Sequence, residues 1–98
     1  MGKWSFLTNH ARALLFISTQ PDARLRDLAA ELDVTERTAY GIVADLAEAG
    51  YVLKEREGRR NRYQVQPDVP LPDRRYERPV GDVLALLTGT KPRRPRRT

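Results

Sequence analysis

The chain contains no cysteine, one histidine and one tryptophan among its 98 residues. Without cysteine it has neither a disulfide nor a thiolate metal site, and His10 alone is too little for a histidine metal site within one chain. A chain without cysteine is typical of a reducing compartment, so we expect a cytoplasmic protein.

Long apolar runs and catalytic motifs are also missing. No run approaches the roughly 18 apolar residues of a membrane span. The N-terminal residues MGKWSFLTNH lack the apolar core of a secretory signal. No glycine-rich phosphate loop, nucleophile elbow or carboxylate pair is present. We therefore expect a protein that is not an enzyme, has no cofactor and has no membrane partner.

The net charge of +5 comes from the end of the chain. The last ten residues, GTKPRRPRRT, contain five basic residues and no acid, so positions 1–88 carry 13 basic and 13 acidic residues. The pI is therefore poor support for nucleic-acid binding by the folded part. Residues 89–98 are predicted to be a basic disordered tail. The tail either reaches phosphates as an extended arm or only keeps the protein soluble.

The spacing of apolar residues predicts three helices before the first strand. The first helix runs from Thr8 or Asn9 to Thr19, and Asp33, Val34 and Thr35 alone separate the next two. Helices joined by so short a turn cross at a steep angle, which leaves one face of the second helix exposed. The apolar stripes of these two helices are Leu25, Leu28, Ala29 and Leu32, then Ala39, Ile42, Val43, Leu46 and Ala47.

A β-hairpin and a fourth helix are predicted after Gly50. Residues 51–57 alternate as a strand, 58–61 form a turn and 62–66 return, with Val52 and Lys54 on one face and Tyr63 and Val65 forming the apolar face of the return strand. Residues 67–79 contain four prolines and are predicted to be an extended linker. Residues 80–88 then form a short apolar helix that either folds back onto the first helix or pairs with a second subunit. We expect a homodimer through this helix.

The order of these elements, with the motif LAAELDVTERTAYGIVADLAEAGYV at residues 28–52, resembles the winged helix-turn-helix transcriptional regulators of the small MarR-like and ArsR-like bacterial type. The resemblance covers residues 8–66. It implies a mainly α fold with a small β-hairpin, a DNA-binding domain at 1–66 and an extra C-terminal helix. Two departures stand out. Asp33 occupies a turn position that is often glycine in the family, and Gly41 lies inside the recognition-helix equivalent, where glycine costs about 1 kcal/mol relative to alanine.

The resemblance implies a sequence-specific regulator of transcription that binds double-stranded DNA. The recognition helix, residues 35–49, would enter the major groove, where Arg37 would read a guanine edge. An arginine-rich wing would contact the backbone or the minor groove. Gly41 would allow close approach to the groove, or it relieves a helix contact, and Tyr40 contacts DNA or is half-buried. The predicted DNA-binding residues are Glu36, Arg37, Thr38, Tyr40, Gly41, Arg59, Arg60, Asn61 and Arg62.

The charge of the helix pair argues against this function. Residues 24–50 contain three basic and six acidic residues, an unfavourable balance for a surface that faces phosphates. A winged-helix module that docks proteins is therefore the alternative, and a nonspecific architectural DNA binder working through wing and tail is a third reading.

Overall fold

The computed structural model describes residues 6–71, 75–76 and 78–89, without the side chains of Glu57 and Arg60. In these residues the fold is mainly helical with one antiparallel hairpin, which confirms the coarse fold class. The elements in chain order are α1 (Asn9–Thr19), α2 (Leu25–Leu32), α3 (Glu36–Glu48), β1 (Val52–Glu57), β2 (Arg60–Val65) and α4 (Val80–Thr88).

The starts and ends of the first three helices follow from local chemistry. The Thr8 hydroxyl accepts the amide of Ala11 at 3.1 Å and caps α1, and the Thr35 hydroxyl accepts the amide of Thr38 at 3.1 Å and caps α3. Between α2 and α3, Asp33 adopts the left-handed conformation with φ 60° and ψ 48°. Aspartate tolerates this region better than most residues, so the three-residue turn forms without glycine.

The hairpin turn is tighter than the sequence indicates. The prediction of a turn over 58–61 is wrong, because Glu57 pairs with Arg60 and only Gly58 and Arg59 lie between the strands. Gly58 has φ 65° at the first turn position, where a two-residue turn of this type requires a positive φ. The register places Val52 opposite Val65 and Lys54 opposite Tyr63, so the predicted strand faces are confirmed.

The described part of the proline-rich segment doubles back instead of running as an extended linker. Val80 N–H donates to the Val69 carbonyl at 2.7 Å, and Gly81 N–H donates to the Pro67 carbonyl at 2.9 Å. A Cβ at Gly81 would lie 2.6 Å from the Pro67 Cβ, so only glycine permits this approach. The Tyr51 hydroxyl donates to the Pro70 carbonyl at 2.7 Å and ties the segment to the start of the hairpin.

A single hydrophobic core joins all four described helices to the hairpin. α4 packs on α1 through Val80 and Leu84, which are 6% and 7% exposed. The fourth helix therefore folds back onto the first helix, which is one of the two arrangements expected from the sequence. None of the described helices is long and apolar enough to span a membrane. The core consists of Ala13, Leu14, Ile17, Leu28, Ala29, Leu32, Ala39, Ile42, Val43, Leu46, Val52, Tyr63, Val80 and Leu84.

Candidate nucleic-acid interface

The face of α3 that points away from the core is open to solvent. Glu36, Arg37, Thr38, Tyr40 and Gly41 are all exposed, while Ala39, Ile42, Val43 and Leu46 are buried. A Cβ built at Gly41 would meet no atom within 4 Å. Because no neighbour requires a glycine there, relief of a helix contact does not explain Gly41.

Tyr40 lies where α3 meets the hairpin. Its side chain is 56% exposed, and Lys54 Nζ lies 6.0 Å from the centre of its ring. This separation is at the outer limit of a cation–π contact. Lys54 reaches Tyr40 because it shares the inward face of β1 with Val52, which is buried.

A concavity of about 410 Å³ lies beside Tyr40. It is bounded by the start of α2, by α3 and by the hairpin, and its lining residues are Arg24, Leu25, Tyr40, Arg59, Asn61 and Tyr63. Arg24 precedes α2, and its own N–H donates to the Asp27 carboxylate at 2.9 Å. Lys54 does not itself line the concavity but lies 6.0 Å from the ring of Tyr40, which does. We call Arg24, Lys54 and Arg59, together with Tyr40, the basic concavity. These residues come from three separate elements and form one anion-attracting surface.

Sequence reasoning missed two of these three cations. No role was predicted for Arg24, and Lys54 was predicted only as one residue of an alternating strand. The signal for Lys54 was present, since it lies two residues after buried Val52 and so had to share its face. No comparable signal exists for Arg24, because its position depends on how α2 crosses α3.

Arg62 was predicted to lie in the site with Arg59, but the structure places it on the other face of the hairpin. It pairs with Glu55 across the strands, and its Nε lies 3.4 Å from a carboxylate oxygen of Asp22. Asn61, on the opposite face, stays with Arg59 at the concavity. The side chain of Arg60 and the tail from Lys91 to Arg97 lie outside the described residues.

The acidic residues of α3 divide between two sides. His10 Nε2 lies 2.8 Å from Asp45 Oδ2, so that carboxylate is turned towards α1. Glu48 lies on the outward face with Arg37, because the two are eleven residues apart on one helix. At 1.5 Å per residue they are about 16 Å apart along the axis. On the outward face Glu48 therefore lies at the C-terminal end of α3, away from Arg37, whereas Glu36 adjoins Arg37 in the first turn.

Tyr63 closes the bottom of the basic concavity and belongs to the core. Burial raises the pKa of its hydroxyl above 10.0, and a hydrogen bond with the Asn61 side chain partly offsets that rise. The phenol therefore stays protonated and neutral at physiological pH. This leaves the three cations of the basic concavity without a compensating anion from the tyrosine.

The described residues contain no group of three or more histidine, cysteine, aspartate or glutamate side chains able to hold a metal ion. Comparison with known proteins finds no family model and no curated protein that matches this chain.

Proposed function

We propose that this chain is a cytoplasmic winged helix-turn-helix transcriptional regulator that binds double-stranded DNA as a homodimer. In this proposal α2 and α3 are the helix-turn-helix, α3 with its cap is the recognition helix at 35–49, and the β1–β2 hairpin is the wing. The observation that carries the proposal is the basic concavity beside the open outward face of α3.

The basic concavity has the chemistry of a phosphate site. Arg24 at the start of α2 and Arg59 in the wing turn line the concavity, and Lys54 of β1 lies near the ring of Tyr40. Among the described side chains, none that lines the concavity is acidic. Arginine and lysine contacts to phosphates position a protein on a duplex without reading sequence. The acidic balance of residues 24–50 is less adverse than it looks, because Asp45 is bound to His10 on the far side of α3.

The recognition helix supplies the sequence-reading groups. Arg37 is the exposed cation in its first turns and has the planar fork that fits the O6 and N7 atoms of guanine. The Thr35 cap holds these turns rigid. Gly41, whose missing Cβ faces open space, lets the helix approach the groove wall closely, and Tyr40 contacts a neighbouring phosphate or a thymine methyl group.

The fourth helix supports a dimer. Leu86 is 77% and Leu87 48% exposed on the side of α4 that does not pack on α1. Exposed leucines on a short helix are covered at low cost by an identical helix in a two-fold pair, which also matches two-fold symmetric operator DNA. We expect Leu86→Ser to weaken dimerisation without unfolding the monomer.

Titration of duplex DNA at two salt concentrations tests the proposal, using sequences selected from random duplexes. We expect tight binding that falls steeply with salt. Arg37→Ala should reduce the preference for the selected sequence over a scrambled one while retaining salt-dependent binding. Equal affinity for both sequences in the parent protein would instead identify a nonspecific architectural DNA binder.

One observation favours a different function, a module that docks proteins. The helix pair 24–50 carries three more acidic than basic residues, and Glu48 lies on the outward face of α3. Absent binding to every selected duplex, or binding that does not change with salt, would contradict the DNA proposal and favour this alternative.

A further inference from the structure

A second concave surface, with a volume of about 690 Å³, lies between the C-terminal end of α1, strand β2 and α4. Most of its wall is apolar, and the buried Ile17 and Leu84 form its floor with the half-buried Val65. We call this surface the α1–β2–α4 groove. Sites for small molecules have volumes of roughly 300–1,000 Å³ and are lined mainly by apolar side chains, with a few polar groups that orient the ligand. The groove has the size and the composition of such a site.

Three hydroxyl groups line the groove, and each of them donates a hydrogen bond to its own helix. Ser18 and Thr19 donate to carbonyls of α1 at 2.7 and 3.2 Å, and Thr88 donates to a carbonyl of α4 at 2.8 Å. A hydroxyl group has a single proton, so these oxygens offer a ligand their lone pairs. The three hydroxyl groups therefore favour a ligand that donates hydrogen bonds.

The charged side chains at the rim of the groove have a negative balance. Glu55 lines the groove and forms no ion pair with another described residue. Arg62, opposite Glu55 in the strand register, also lines the groove, but its Nε lies 3.4 Å from a carboxylate oxygen of Asp22. Two carboxylates thus lie near one guanidinium group, which leaves one negative charge. A charge of this sign attracts a cation.

A protonated amine on an apolar body meets both requirements. An ammonium group has three N–H donors, no acceptor and one positive charge. We propose that the α1–β2–α4 groove binds a small amphipathic cation, an aromatic or branched aliphatic body that carries a protonated primary amine. The body lies on the floor of Ile17, Val65 and Leu84, and the ammonium group donates to the hydroxyl oxygens under the attraction of Glu55.

An anion suits the groove less well than a cation. Arg62 is the one cationic side chain among the described residues that line it, and an anion there would compete with Asp22 and be repelled by Glu55. The basic concavity has the opposite balance, so the two surfaces select ligands of opposite charge. This inference goes beyond DNA binding and depends on neither the DNA proposal nor the dimer.

Three probes that share a naphthalene ring and differ in charge test the class of ligand. They are 2-naphthylmethylamine, 2-naphthalenemethanol and 2-naphthoate, each titrated into the full chain at neutral pH and followed by amide chemical shifts in two-dimensional NMR. We expect the amine to bind with a dissociation constant of about 1 mM or lower, roughly tenfold more tightly than naphthoate, with the alcohol between them. A ranking in which the amine is not the tightest probe, or absent binding of all three, would overturn the inference.

The same spectra locate the bound amine. The largest amide shifts should occur at Ser18 and Thr19, at Val65 and at residues 84–88, which surround the groove. Shifts confined to α3 and the wing turn would place the amine elsewhere and contradict the inference.

Glu55→Gln tests the charge at the rim, with Glu48→Gln as its matched control. Both variants remove one exposed carboxylate, but Glu48 does not line the groove. We expect Glu55→Gln to raise the dissociation constant of the amine by roughly two- to fivefold, as for an exposed ion pair, and to leave that of the alcohol unchanged. Glu48→Gln should change neither. Equal effects of the two variants on the amine would refute the role of Glu55.

Ala85→Phe tests the floor, with Ala30→Phe as its control. Ala85 lines the groove from α4, so a phenyl ring there takes the space of the naphthalene, whereas Ala30 is exposed on α2 and does not line the groove. We expect the dissociation constant of the amine to rise by roughly tenfold or more in Ala85→Phe and to stay unchanged in Ala30→Phe. Unaltered binding by a folded Ala85→Phe would refute the site. If circular dichroism finds Ala85→Phe unfolded, the amide shifts of the parent and the Glu55→Gln titration decide.

Separate outcomes distinguish this inference from the DNA proposal. A chain that binds the selected duplex and none of the probes contradicts the groove site alone. A chain that binds the amine in the groove and no duplex contradicts the DNA proposal alone.

Discussion

Replacing Arg59 with alanine removes one cation from the basic concavity, whereas replacing Arg62 removes the same side chain from the other face of the same hairpin. Arg59 and Tyr40 line one concavity, while Arg62 Nε lies 3.4 Å from Asp22 on the other face of the hairpin. If the basic concavity holds phosphate, Arg59→Ala should lower the salt dependence of DNA binding and Arg62→Ala should not. The two variants are matched in residue type and in net charge.

The expected magnitude follows from counterion release. Each phosphate contact contributes about 0.9 to the slope of log affinity against log salt concentration. A fourfold increase in salt concentration lowers the affinity of both proteins. The fold-decrease is about 3.5 times larger for the parent than for a variant that has lost one phosphate contact. In a dimer one Arg59 contact is lost from each copy, and the difference becomes about twelvefold.

The assay is fluorescence anisotropy with one selected duplex, measured at several salt concentrations for the parent, Arg59→Ala and Arg62→Ala. Circular dichroism and denaturant unfolding verify that both variants fold like the parent. A salt slope reduced equally by both variants would refute the assignment of the phosphate site to one face. A slope reduced only by Arg62→Ala would place the DNA on the opposite side of the hairpin.

Three further outcomes follow from single residues. Gly41→Ala should stabilise the fold by up to about 1 kcal/mol in denaturant unfolding, because its Cβ meets no atom, and should weaken DNA binding in titration. A variant that binds as tightly as the parent would contradict close approach at Gly41. Gly81→Ala should lower the free energy of unfolding by roughly 1–3 kcal/mol, since its Cβ would lie 2.6 Å from that of Pro67, and parent-like stability would contradict this packing. Burial raises the pKa of Tyr63 in the folded state, so its contribution to the free energy of unfolding should be full below pH 10 and fall as pH rises above that value. Tyr63→Phe should flatten this fall when urea unfolding is measured across that pH range. An unchanged fall in the variant would contradict a raised pKa at Tyr63.

The helices were predictable because their signals are local. The start of α3 is determined by the Thr35 hydroxyl and the amide three residues later, and both lie within one turn of chain. Apolar spacing likewise identified the buried faces of α2 and α3, and Gly89 marked the end of α4 with φ 81°. The hairpin turn was predicted two residues too long, since its length depends on whether Glu57 and Arg60 pair.

Part of the candidate site was also predictable. Arg37, Tyr40 and Gly41 share the exposed face of one helix, so helical periodicity alone places them together. The two faces of the hairpin were predicted correctly at Val52, Lys54, Tyr63 and Val65, yet Arg62 was assigned to the DNA side with Arg59. An arginine-rich turn does not reveal which side each arginine takes until the register is known.

The sequence by itself determined the order and bounds of the helices and the outward residues of α3, because these depend on neighbours within about a turn. Only the tertiary structure decided that Arg24, Lys54 and Arg59 converge on Tyr40, since they come from three elements separated by up to 35 positions in the chain. It also decided that α4 folds onto α1. Charge clustering arises from how elements pack, and no local pattern encodes that packing.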